Sequence, residues 1–167
     1  MLTTTFESLR KHNACKVRYT VLSEALTRGD DEPITLIEIL DSNGLADALW
    51  ALRAVPDEQA AERDKLARLF ACWCVRQIWH LLTDDRSRTA VEVAERYAVG
   101  DATRDALNAA AAAARSAAYA AVAADYAAYA AADAAAYYAA FAAYYADADA
   151  AADAKNAHAD KFIEMFS

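Results

Sequence analysis

Apolar positions recur along most of this chain at three- and four-residue intervals, the spacing that gathers them on one side of an α-helix. Thr3-Thr4-Thr5 ahead of Phe6 and Glu7 predicts a helix start, with Thr4 and Glu7 in capping-box spacing and Phe6 and Leu9 as a short apolar face. Residues 17–26 continue the pattern through Val21, Leu22, Ala25 and Leu26, with Gly29 as the stop. Asp30-Asp31-Glu32-Pro33 predicts a turn whose acids suit the start of the next helix. The dense run Ile34, Leu36, Ile37, Ile39 and Leu40 predicts a buried helix, with a buried strand as the second reading. Ser42-Asn43-Gly44 ends it. Leu45, Leu49, Leu52 and Val55 then line an amphipathic helix, with Trp50 beside them and Pro56 closing it. From Asp57 to Leu82 the pattern predicts one helix of about seven turns, with Leu66, Leu69, Phe70, Trp73, Ile78, Trp79 and Leu82 as its apolar set. A polar turn from Thr83 to Ser87, a helix from Thr89 to Val99 and a stop at Gly100 follow. Thr103 is placed to cap the next helix, and Phe162, Ile163 and Phe166 form a last amphipathic piece able to fold back onto the core.

Between Ala109 and Ala154 the pattern changes: 30 of these 46 residues are alanine, with no Gly or Pro, so the tract is predicted to be helical for most of its length. Its large residues are not scattered. Tyr119, Val122, Tyr126, Tyr129, Asp133, Tyr137, Phe141 and Tyr144 follow one another at roughly 3.6 residues per step, a single stripe about 120° wide on a straight helix. Tyr138 and Tyr145 make a short second row. Alanine elsewhere lets a second helix approach to the short end of the usual 8–10 Å interaxial range. A straight tract would run roughly 70 Å, so it either folds into a hairpin of close-packed helices or projects as an arm. The resulting expectation is an all-α protein: a helical bundle core over residues 1–100, and an alanine-rich helical appendage over 101–167 that belongs to the same structural unit.

Composition agrees. Two prolines and three glycines in 167 residues suit long helices joined by short turns. The formal charge is −8, and the five aspartates between Ser116 and Ala154 face no base in that stretch. Such a surface repels nucleic acid but attracts a basic protein surface, including one that ordinarily binds nucleic acid. Asp125 and Asp133 make the tract a poor membrane span, because each costs roughly 2.5–3.5 kcal/mol near the bilayer centre. Glu7, Arg10 and Lys11 leave no apolar stretch for a signal peptide, and a cytoplasmic protein with reduced thiols is expected.

The candidate chemistry is thin. Cys72, Cys74 and His80 invite a metal reading, but on a helix they point about 0°, 200° and 80° round the axis and do not converge. The preferred reading is core cysteines and a surface histidine, with no metal and no cofactor. His12 and Cys15, three apart, have the spacing of a base and a nucleophile, yet no orienting carboxylate or oxyanion hole is in the pattern, so no catalytic residue is assigned. Trp50, Trp73 and Trp79 read as core, and Arg86 and Arg88 with Asp84 and Asp85 as a solvated turn. For the stripe two readings stand. Its phenols either dock on the N-terminal core with hydroxyls at the rim, or Tyr119, Tyr126, Tyr129, Asp133, Tyr137, Phe141 and Tyr144 are presented to a partner.

Three blocks in order, Asp41-Ser-Asn-Gly-Leu-Ala-Asp-Ala-Leu-Trp-Ala-Leu-Arg53, Leu69-Phe-Ala-Cys72 and Ala90-Val-Glu-Val-Ala-Glu-Arg-Tyr-Ala-Val-Gly-Asp-Ala-Thr103, precede the alanine-aromatic tract. Together they resemble small alanine-rich, all-helical phage and bacterial proteins of the immunity-protein type, over residues 12–135. In Ala71-Cys-Trp-Cys-Val-Arg-Gln the chain departs from the more acidic pattern of that group. The resemblance implies a stoichiometric binding protein and brings no catalytic residues. The expectation is therefore a non-enzymatic inhibitor of a bacterial defence effector or toxin, of anti-CRISPR or immunity type. A self-assembling helical scaffold, a homo-oligomer, is the alternative.

Overall fold

The computed structural model of the chain describes residues 1–124 and 148–167, and side chains for 1–118 and 156–167. The fold is all-α apart from one pair of two-residue strands. Its contacts divide the described chain into two compact units, Met1–Ala67 with Ala157–Ser167, and Arg68–Asn156.

The first unit opens on β1 (Thr3–Thr4), which pairs antiparallel with β2 (Ile34–Thr35), Thr4 opposite Ile34. Helix α1 (Phe6–Lys11) follows, and its cap is Thr5, whose hydroxyl oxygen accepts from the Ser8 N–H at 3.1 Å. The expected cap, Thr4, is committed elsewhere: it is fully buried and donates its hydroxyl to the Ala54 carbonyl at 2.6 Å. Helix α2 (Lys16–Leu26) ends not at Gly29 but at Thr27, held in the left-handed region at φ 42°. Of its predicted face only Leu22 is fully buried, while Val21 is 44% exposed. The dense apolar run that follows is both of the things considered for it. Ile34 is a strand residue, and from Leu36 the chain turns into α3 (Leu36–Asn43). A complete capping box makes the switch: Thr35 accepts from the Glu38 N–H, and the Glu38 carboxylate accepts from the Thr35 N–H at 2.8 Å. The acids at 30–32 therefore do not open this helix.

Helix α4 (Leu45–Ala51) continues as a 3₁₀ turn over Leu52–Ala54. The side chains it buries fully are Ala48, Ala51, Ala54 and then Val55, while Leu45, Leu49 and Leu52 of the expected face are only half-buried. Small residues turned inward let the neighbouring backbone come close. At the other end of the chain Phe162 and Phe166 stack with ring centroids 4.3 Å apart, and both are essentially inaccessible. The C-terminal piece does return to the N-terminal core, since its last residues belong to the first unit.

The predicted helix over 57–82 is interrupted. Helix α5 (Ala60–Gln77) is flanked by 3₁₀ turns at Asp57–Gln59 and Trp79–Leu81, and Ile78 between them leaves helical geometry at φ −112°, ψ 21°. In the second unit α6 (Asp85–Val99) starts four residues before the expected Thr89. Asp84 caps it by accepting from the Arg86 N–H at 2.8 Å, so the supposed polar turn is largely helix. Gly100 ends α6 in the left-handed region as expected, and Thr103 caps α7 (Arg104–Ala124) through the Ala106 N–H at 3.1 Å. The helices on either side of Gly100 pack on each other within this unit, burying Val93 and Ala117. The last helix is α8 (Ala148–Phe166). Among the described residues no helix is long and apolar enough to cross a membrane.

Candidate binding cleft

Of the residues expected to meet a partner, Tyr126, Tyr129, Asp133, Tyr137, Phe141 and Tyr144 lie outside the described residues. Tyr119 falls on the backbone of α7, and its side chain lies outside them too. Within the described side chains one concave feature is a cavity of about 90 Å³ in the first unit. Four residues of α2 or its cap line one wall: Cys15, Arg18, Tyr19 and Leu22, at the three- and four-residue spacing of one helical face. Ile39 and Asn43 of α3 and Asp47, Trp50 and Ala51 of α4 form the other, with Leu9 from α1.

The floor is apolar and the rim is wired. Arg18 pairs with the Asp47 carboxylate at 3.0 Å, and the Asn43 amide donates both to Asp47, at 2.8 Å, and to the Arg18 carbonyl, also at 2.8 Å. On the far side Arg10 donates to the Tyr19 hydroxyl at 2.6 Å and to both oxygens of Asp30. Those bonds hold the Asp30 carboxyl below its usual range, so it stays charged. Sites that enclose a cofactor or drug-sized ligand run to roughly 300–1,000 Å³, and a cavity of roughly 150 Å³ holds benzene. This one is smaller than either. Asn43, Asp47, Trp50 and Ala51 all come from the block Asp41–Arg53, which periodicity read only as a turn and an amphipathic helix.

The bonds that hold α2 over this cavity are modest. Burying Leu22 contributes about 1.5–3 kcal/mol, and the Arg18–Asp47 pair, with Arg18 half exposed, contributes no more than about 1 kcal/mol. Tyr19 adds an edge contact to the Phe6 ring at 5.3 Å. By contrast α3, three residues shorter, buries Leu36, Ile39 and Leu40.

In the second unit arginines lie against two aromatic rings. The Arg76 guanidinium lies 4.0 Å from the Trp79 ring centroid and that of Arg88 5.8 Å from it. Arg68 and Arg104 both approach Tyr97, at 5.1 and 5.3 Å. Trp79 and Arg88 are thus neither simple core nor simple solvated turn: each is half-buried, the ring shielding the charge. Hydropathy scoring treats arginine as polar and misses such pairs.

The thiols and histidines fall apart as a site. Cys72 is buried with its S–H directed at the Val91 carbonyl, and burial, then the nearby Glu95, pushes its pKa up. Burial pushes Cys74 up to about 11, so neither is a ready thiolate. His80 is exposed on its 3₁₀ turn, and the His12 ring Nδ1 meets the Ser8 carbonyl at 2.9 Å rather than Cys15. Among the described residues no three His, Cys, Asp or Glu side chains gather to hold a metal. Set beside known proteins, the chain matches no family model, no curated protein and no solved structure.

Proposed function

We propose that this chain works by binding another protein, as a phage- or bacterium-encoded inhibitor of a defence effector or toxin, without a chemical step of its own. One observation carries the reading. Between Ser116 and Ala154 an alanine tract bears seven tyrosines and one phenylalanine among five aspartates and no base. Tyrosine brings large contact area and a hydrogen bond at low entropic cost, and the uncompensated acid selects a basic partner surface. The resemblance of the three ordered blocks to immunity-type helical proteins points the same way.

The test replaces Tyr126, Tyr129 and Tyr137 together by alanine and measures binding to the partner recovered from the native host. A folded triple variant is expected to lose at least about tenfold in affinity. Unchanged affinity would show that another surface is used. Self-assembly is the second reading, favoured by alanine faces that allow close helix pairing. Light scattering over a range of concentrations separates the two, because a scaffold grows with concentration and an inhibitor of this kind stays at one size.

A further inference from the structure

We infer that α2 is a hinged strap: it opens as a unit on Asn13 and Thr27 and exposes the cavity beneath it while the rest of the first unit stays folded. Among the described residues, the non-glycine positions with positive φ are these two, at 61° and 42°, and they bracket α2. Asparagine accepts that conformation readily, whereas for a β-branched threonine it is an outlier that the closed structure must hold in place. Hinges are typically a few element-terminal residues whose backbone takes up the change of angle, and these are so placed.

Three further observations agree. The helix has 11 residues and buries one side chain fully, Leu22. Besides the edge contact of Tyr19 on the Phe6 ring, its ties to the unit are polar and lie at the surface: Arg18 to Asp47, the Asn43 amide to the Arg18 carbonyl, and Arg10 to Tyr19. Water can replace each of these on opening. Under the helix, where a core helix would set its apolar face, lies the cavity between Leu22 and Ile39, Trp50 and Ala51. A segment with few buried apolar contacts and exposed bonds opens at lower free energy than the whole domain. The inference does not depend on the proposed function, for it concerns access to the cavity and not what enters it.

Hydrogen exchange on the full-length protein tests it, comparing peptides that cover residues 16–26 with those that cover 36–51. The α2 amides are expected to exchange at least about tenfold faster than those of α3 and α4. Thr27→Gly, which frees the closed form of its unfavourable angle, is expected to slow α2 exchange several-fold and leave α3 alone. Arg18→Gln is expected to speed α2 exchange and again leave α3 alone. Equal protection of α2 and α3 in the parent would overturn the inference. So would variants that shift both helices by the same factor, because α2 would then open only when the unit unfolds.

Discussion

Arg76 and Glu95 face each other across α5 and α6 through two parallel hydrogen bonds, Nε to Oε1 at 2.9 Å and an outer amine to Oε2 at 2.6 Å. The same guanidinium lies on the Trp79 ring, so one side chain ties together two helices and the 3₁₀ turn between them. A forked pair with about a third of each side chain exposed is better ordered than a lone surface contact, yet still screened by water.

Removing Arg76 should therefore cost the ion pair and the ring contact together. Arg76→Ala is expected to lower stability by about 1–2 kcal/mol in urea unfolding, and Glu95→Gln by less, because the ring contact survives. Acid adds a second check. Hydrogen bonds from Arg76 hold the Glu95 carboxyl below its ordinary value of 4.5. A depressed carboxyl contributes stability that is complete above the ordinary value and lost as pH falls through the folded value. The gap between parent and Glu95→Gln should thus be full at neutral pH and shrink steadily below about pH 4.5. A gap independent of pH would mean the pair contributes only through packing.

A second expectation concerns the Ala54 carbonyl, which accepts from two hydroxyls, Thr4 at 2.6 Å and Ser8 at 2.7 Å. Thr4 and Ala54 are fully inaccessible. Either hydroxyl alone leaves the carbonyl satisfied, so Thr4→Val and Ser8→Ala are each expected to cost about 1 kcal/mol. The double variant strands a buried acceptor. Its cost is expected to exceed the sum of the single costs by about 1 kcal/mol or more, which a double-mutant cycle measures directly. Simple additivity would show that water reaches Ala54 once the hydroxyls are gone.

Much of this architecture was legible in the sequence, and the failures share a cause. The helical class, the stops at Gly100 and Pro56 and the cap at Thr103 follow from local chemistry alone. So does the burial of Phe6, Leu9, Phe162 and Phe166. Where two local choices were open, tertiary pairing decided. Thr4 and Thr5 are equivalent as caps until β2 pairs with β1 and draws Thr4 into the core. Leu45, Leu49 and Leu52 outweigh alanine in any hydropathy sum, yet the inward face of α4 belongs to Ala48 and Ala51, because a close helix approach rewards small size. The cleft could not be read beforehand, since Cys15, Arg18 and Tyr19 meet Asn43, Asp47 and Trp50 only through the fold.

The two positive-φ glycines give the last expectation, and they should differ. Gly100 sits at φ 92°, ψ 3°, near the left-handed helical region that asparagine also tolerates. Gly44, between α3 and α4, sits at φ 85°, ψ 173°, a region that is essentially glycine's alone. No neighbouring atom lies within 4 Å of where a Cβ would stand at either glycine, so backbone strain and not crowding sets the cost. Gly100→Ala is expected to lose about 1 kcal/mol and Gly100→Asn to recover most of it. Gly44→Ala is expected to lose about 1–3 kcal/mol, and Gly44→Asn should give nothing back. Thermal unfolding of the four variants decides it. Rescue by asparagine at both sites would mean that the α3–α4 corner relaxes into an ordinary left-handed turn, at the expense of the Asn43–Asp47–Arg18 network beside it.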